Sequence, residues 1–298
     1  MMPDNNWYGH RKILSNYCNK NDFHVFAIIQ HGWFLNSPTL LFTNKRLQYI
    51  NFLSWSTNFT KLARKEGFKI IPIGSPFLYL CKLKNFNFEK DKKKGEGTIL
   101  FPGHSTKDEP QLVDHKNFIK TVKDNYPPPY SVSIFYKDLN INIAKIYKDE
   151  KFNIVCFGSR GNQYFLYELY NEVLKHRNVI STEPGTSIIY SMYLGKKCHI
   201  LYKDNNNLNL NKFEDLRTKE FFQFKAKNEF KKILHGTMNL DEQFYLAKKE
   251  LGYENLLLKS ELIQRLGWDD KLKKISAFFV SKYIDLKHGK TLRSGKDV

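Results

Sequence analysis

The chain is poor in the features that announce a metal centre, a secreted fold or a membrane span. It has four cysteines, at 18, 81, 156 and 198, with no CxxC or CxH spacing. That pattern predicts neither a zinc site nor a disulfide framework, and a reducing cytoplasm is the simplest setting for it. Acidic pairs at metal-ligand spacing are missing too. The acidic cluster "KDEP" at 107–110 reads as a solvated loop, so no metal is expected. No apolar run reaches the ~18 residues that cross a bilayer. Residues 1–10 are polar and have no apolar core of a signal peptide. The expectation is a soluble protein, attached at most to a membrane surface. Two phosphate-binding signatures are absent as well. There is no Gly-x4-Gly-Lys-Ser/Thr loop and no GxGxxG fingerprint.

Acidic residues are outnumbered, 30 against 48 Lys and Arg, giving a formal net charge of +18. Such an excess attracts nucleic acid, phosphorylated small molecules or an acidic membrane face, and does not choose among them. The abundance of Lys, Asn, Ile, Phe and Tyr also fits nucleotide bias in a genome, which weakens the charge as a functional signal. Hydrophobic residues make up 41% and aromatics 15% of 298 residues, enough for the packed cores of two lobes.

The clearest break in composition is "FEKDKKKGEG", residues 88–97, charged and closed by two glycines. It predicts an N-terminal lobe over 1–90, a linker at 91–97, a second lobe over 98–211 and C-terminal helices over 212–298. Before the break, residues 24–29 read as a buried strand, "FTKLARKEG" as a helix ending at Gly67, "FKIIPIGSP" as a strand stopped by Gly74-Ser75-Pro76 and "FLYLCKLK" as a helix. After it, short β-branched runs alternate with helical patterns: "TILFP", "HKNFIKTVKDN", "SVSIFY", "LNINIAKIYKDE", "FNIVCFG", "QYFLYELYNEVLKH", "NVIST", "TSIIYSMYLG" and "KCHILY". Five strands with four intervening helices predict βαβ units and a parallel, doubly wound sheet. The fold class expected is α/β with two Rossmann-like lobes. The tail carries amphipathic stretches, "LKSELIQRLGW" and "KLKKISAFFVSKYI". Residues 271–298 hold eight Lys or Arg against two Asp. This suits either a solvated helix or attachment to an anionic membrane.

Parallel α/β sheets bind ligands at the carboxyl ends of their strands. In the first lobe that position holds His31, in "IIQHGWFLNSP". Either it is a polar residue where a strand meets a loop, or it is a base. In the second lobe it holds His104, Ser159 and Arg160, and the turn "EPGTSIIY" with Glu183, Gly185, Thr186 and Ser187. Gly185 permits a tight turn. Thr186 and Ser187 then begin a helix, and their hydroxyls with the first-turn N–H groups suit a phosphate. An ordinary helix cap is the competing reading. His104 is a candidate donor to a leaving phosphate or general acid. Asp4, Tyr8 and His10 are weaker candidates.

This set of motifs resembles GT-B glycosyltransferases. The nearest likeness is to bacterial surface-polysaccharide enzymes: sialyltransferase-like and Kdo-transferase-like proteins and CDP-glycerol glycerophosphotransferases. The likeness covers roughly residues 24–202. In those families a histidine after the first strand of the C-terminal lobe, often His-Pro, and a Ser/Thr-Ser pair bind the phosphate of a cytidine nucleotide. His104 and Thr186-Ser187 are the counterparts, and His31-Gly32 matches the glycerophosphotransferase His-Gly. Here Ser105 follows His104 in place of proline, the first lobe is small, and the acidic motif that supplies the sialyltransferase base is not visible.

The resemblance implies a metal-independent transferase without a bound cofactor, active in capsule or lipopolysaccharide synthesis. It would take a sugar from a CMP- or CDP-linked donor to a cell-envelope polysaccharide or lipid-linked glycan, in the cytoplasm or at the inner face of the cytoplasmic membrane. His31 and His104 would be catalytic. Ser159, Arg160, Glu183, Gly185, Thr186 and Ser187 would hold the nucleotide. A CDP-polyol phosphotransferase or a sugar-nucleotide epimerase of the same fold are the neighbouring alternatives. A nucleic-acid-binding protein is the alternative of another class, disfavoured because no RNP strand, recognition helix or zinc-finger pattern is present.

Overall fold

The computed structural model describes residues 5–21, 24–33, 51–56, 69–103, 113–139, 142–201 and 228–269, with positions 64, 67, 275 and 279 besides. The chain divides into two compact units. One takes the described residues of 1–31, 38–85 and 252–298; the other takes those of 32–37 and 86–251. Both are α/β with parallel sheets, as the alternation of patterns predicts.

In the first unit β1 (Ile28–Ile29), β2 (Phe52–Ser54) and β3 (Ile70–Pro72) form a parallel sheet in the order 1-2-3. β1 is shorter than the apolar run at 24–29 suggests. On the edge away from β2, the buried Asn5 side chain takes the place of a neighbouring strand. Its amide donates to the carbonyls of Val25 and Ala27 at 2.9 and 2.6 Å, and its oxygen accepts from the Ile29 N–H at 3.0 Å. α1 (His10–Cys18) and α2 (Pro76–Leu83) pack together. Ser75 caps α2 by accepting from the Phe77 N–H, and Pro76 supplies its first turn. Most of the predicted helix ending at Gly67 lies outside the described residues.

The second unit holds β4 (Thr98–Phe101), β5 (Tyr130–Ser133), β6 (Asn153–Val155), β7 (Asn178–Ser181) and β8 (Lys197–Ile200), all parallel in the order 6-5-4-7-8. The central strands β4 and β7 are buried along their whole length, while β6 and β8 at the edges are only partly covered. This explains the unbroken apolar character of "TILF". The connecting helices are α4 (His115–Asn125), α5 (Asn142–Asp149), α6 (Phe165–Leu174) and α7 (Thr186–Tyr193). On one face Leu100, Val132 and Ile180 pack with Phe118, Ile119 and Val122 of α4 and with Tyr147 of α5.

Two boundaries differ from the sequence reading. Residues 91–97 are not a linker. They belong to the second unit, preceded by a short helix α3 (Phe88–Asp91) hidden in the charged run. Gly97, at φ +65°, passes so close to Pro129 that a Cβ there would lie 2.1 Å from the Pro129 carbonyl oxygen. The buried Lys196 ammonium donates to the carbonyls of Asp91, Lys94 and Leu174 at 3.3, 2.9 and 3.5 Å. Nor do residues 212–298 stand as one group of helices. α8 (Asn228–Leu234) and α9 (Leu240–Glu250) belong to the second unit, where Phe244 stacks on Phe88 at 3.9 Å. From Gly252 the chain joins the first unit. There α10 (Lys259–Leu266) packs on α1, Leu257 N–H donates to Tyr79, and the Trp268 indole donates to the His24 carbonyl. The amphipathic stretch 271–284 lies almost wholly outside the described residues. No helix among the described residues is long and apolar enough to cross a membrane.

Burial holds the Lys196 ammonium down at about 8, against 10.5 for a free lysine, with Asp91 opposing the shift. Across that window the unfolded chain binds more protons than the native one, so the contribution of this lysine to stability rises with pH. Lys196→Met leaves buried carbonyls unpaired and should cost about 1–3 kcal/mol at neutral pH. In urea denaturation the gap between wild type and variant should widen as pH rises from about 8 to 10.5. A gap that narrows would contradict the assignment.

Candidate functional site

In the second unit the chain winds one way through β4, β5 and β6, then returns across the sheet to β7 and β8. The reversal makes the carboxyl ends of β4 and β7 the switch point, where such sheets place their ligands. Side chains of β7 and its turn stitch the two strand ends together. The buried Ser181 hydroxyl donates to the Phe101 carbonyl at 2.8 Å, and Thr182 Oγ1 accepts from the Gly103 N–H at 2.8 Å. The Glu183 carboxylate lies against Gly103, where a Cβ would come within 3.2 Å of it. Thr182 is a part of the site that the sequence did not single out. A threonine after a strand carries no local signal that it will bond a glycine 79 residues away.

α7 begins in the same turn. Its N-cap is Gly185, in extended backbone at φ −167° and ψ 173°, and no side chain caps the helix start. A Cβ added at Gly185 would meet nothing within 4 Å. The Ile188 and Ile189 N–H groups bond the Gly185 carbonyl, so the amides of Thr186 and Ser187 are those left without an acceptor among the described residues, and the partial positive charge of the helix end meets no side-chain cap there.

Thr186 and Ser187 divide in role. Thr186 Oγ1 accepts from the Trp33 backbone N–H at 3.0 Å, and Gly32 packs against the same oxygen. The Trp33 indole in turn donates to Glu250 Oε2 at 2.8 Å, at the end of α9. So Gly32-Trp33 is latched within the second unit by Thr186 and Glu250. The Ser187 hydroxyl, half-buried in the first turn, makes no hydrogen bond among the described residues. Of the pair, Ser187 is the one whose hydroxyl is left for a ligand.

The remaining predicted residues fall as follows. Ser159 and Arg160 follow β6, the edge strand, in a turn closed by Asn162 N–H donating to the Ser159 carbonyl. At ~4.8 Å per strand they stand two strands, roughly 10 Å, from β4 and three strands, roughly 14 Å, from β7, so neither side chain meets the Glu183–Ser187 turn directly and they could share with it only an extended ligand. His104 lies outside the described residues, as does Asp4. His31 follows β1 at the carboxyl edge of the first unit's sheet, half-buried, with the Trp7 ring edge-on at 5.0 Å and 84°. His10 is fully buried; that burial, and then His31, hold its imidazole down at about 3. It stays neutral at physiological pH and serves as packing against Trp55 and Tyr8, so it is no proton carrier. Tyr8, at φ 58°, is the strained residue of the turn that brings Trp7 to His31. No cluster of three or more metal-ligating side chains occurs among the described residues.

No protein-family model matches the chain, and no curated protein matches it in sequence.

The division of roles predicts opposite responses in thermal or urea unfolding. Thr186→Val removes the acceptor of the Trp33 amide and should cost about 1–2 kcal/mol. Ser187→Ala should change stability by less than about 0.5 kcal/mol. Equal losses would show that Ser187 is as structural as its neighbour.

Proposed function

We propose that the protein is a nucleotide-dependent glycosyltransferase of GT-B type, with the donor phosphate held at the start of α7. The observation that carries this reading is the helix start of Gly185-Thr186-Ser187 at the β4–β7 switch point, uncapped by any side chain among the described residues. A phosphate there meets first-turn N–H groups, the Ser187 hydroxyl and the positive end of a helix. The Glu183 carboxylate repels phosphate but accepts hydrogen bonds from hydroxyls, so it fits the ribose end of a nucleotide better than the phosphate end.

In the proposed reaction an acceptor hydroxyl oxygen bonds to the anomeric carbon of the donor sugar. The bond from that carbon to the nucleotide phosphate breaks, and its electron pair leaves with the phosphate. Negative charge grows on the phosphate oxygen as the bond breaks, and the amides and hydroxyl at α7 stabilise it without having to reorganise. His104 is the proposed further donor to that phosphate. His31, on the first unit, is the proposed base that takes the acceptor proton. Ser159 and Arg160 remain proposed for the nucleotide, as contacts to the far end of an extended ligand. The basic balance of the chain favours an anionic donor, and a cell-envelope glycan or lipid-linked acceptor at an anionic membrane is the proposed second substrate.

A thermal-shift series with CMP, CDP, UMP, UDP, GDP and ADP tests the donor site. One nucleotide, a cytidine nucleotide first, should raise the melting temperature of the wild type. Ser187→Ala should weaken that nucleotide about tenfold, the equivalent of one charge-assisted hydrogen bond. A response to uridine or guanosine nucleotides keeps the site and changes the donor. No response to any of them reduces the turn to an ordinary helix start and removes the support for a transferase.

A further inference from the structure

The second unit carries a cavity of about 770 Å³ at the opposite edge of its sheet, around the amino ends of β7 and β8. That volume is typical of small-molecule sites, ~300–1,000 Å³. Lys197, His199 and Leu201 alternate along β8 and line it from one face of the strand. Arg177 enters from the residue before β7, and Lys92 and Lys93 from the loop after α3. No carboxylate is among the lining residues. Lys92 is paired with Glu89 and Asp241 at 2.9 and 3.4 Å. Lys93, Arg177 and Lys197 have no ion-pair partner among the described residues.

His199 adds a second, independent feature. Its Nδ1 is hydrogen-bonded to the Tyr126 hydroxyl at 2.6 Å, while its Nε2 is buried with no partner among the described residues. Burial, and then the charge of Lys197, hold the imidazole below its usual value, so it is neutral at physiological pH. In the tautomer that accepts from Tyr126 at Nδ1, Nε2 carries a proton and lacks an acceptor. The concave wall thus gathers three exposed cations with no ion-pair partner among the described residues, beside one face of a half-buried imidazole whose Nε2 is turned inward against Gly236. The arginine fork matches phosphate oxygens in pairs, and Tyr126, Leu201 and Leu240 offer apolar contact beside it.

We infer that this cavity is a second binding site, for a small soluble molecule bearing a diphosphate, separate from the helix-start turn at the other edge of the sheet. The inference goes beyond the transferase reading and stands without it.

Isothermal titration of the full chain with inorganic pyrophosphate tests it. Arg177→Gln/Lys197→Gln should weaken pyrophosphate at least tenfold, and Lys93→Gln should weaken it less. Ser187→Ala should leave a pyrophosphate site of undiminished affinity, which separates this cavity from the donor turn. The unliganded double variant should unfold at the wild-type temperature or above, because it loses mutual repulsion and no ion pair. If it does not fold, Lys93→Gln decides alone. The inference is overturned by absence of pyrophosphate binding, by equal binding in the cavity variants, or by loss only in Ser187→Ala. Binding to phosphatidylglycerol vesicles or to a single-stranded oligonucleotide without any response to pyrophosphate would also overturn it. Such a result would assign the basic wall to a lipid or nucleic-acid surface.

Discussion

Parallel strands deliver all their carboxyl ends to one edge, and a chain that reverses its winding there cannot fill the gap it leaves. That constraint governs the second unit. Where β4 and β7 lie side by side, the described strand ends are joined through side chains. Ser181 and Thr182 do this by bonding the Phe101 carbonyl and the Gly103 amide. The turn that follows is then held in place, and α7 starts from it without a side-chain cap. The position of the helix start follows from the topology, and the chemistry proposed for it follows from that uncapped start.

Charge takes a different course at the two edges. At the carboxyl edge what is positive is the backbone dipole of a helix start, with the Glu183 carboxylate beside Gly103. At the amino edge it is the full charges on Lys93, Arg177 and Lys197 around a concave wall. Elsewhere in the same unit a cation is spent on structure. Lys196 is buried and gives its donors to backbone carbonyls, and so fastens the loop after α3. A net charge of +18 therefore covers at least two different uses of basic side chains, which composition cannot separate.

The order of strands and helices from Thr98 to Ile200 was legible because each element is a short run with a clear period between Pro, Gly or charged punctuation. The helix α3 was not, since its four residues carry no apolar face and sit inside a lysine run. The division of the tail was not legible either. What assigns α9 to one unit and α10 to the other is the stacking of Phe244 on Phe88 and the bonds of Leu257 and Trp268, all long-range. At the candidate site the glycine and the two hydroxyl residues could be read from "PGTS". Their separate roles could not, because the partner of Thr186 is Trp33, 153 positions earlier. The basic cavity was invisible for a related reason: its cations are drawn from separate places among 48.

The central claim is that the amides at the start of α7 hold the phosphate of a nucleotide. Hydrogen–deuterium exchange of residues 185–189, with and without a saturating cytidine nucleotide, tests it most directly. The account predicts slower exchange at these amides in the nucleotide-bound protein, with little change at the amino ends of β7 and β8. Protection that appears elsewhere while residues 185–189 exchange at the unliganded rate would contradict it.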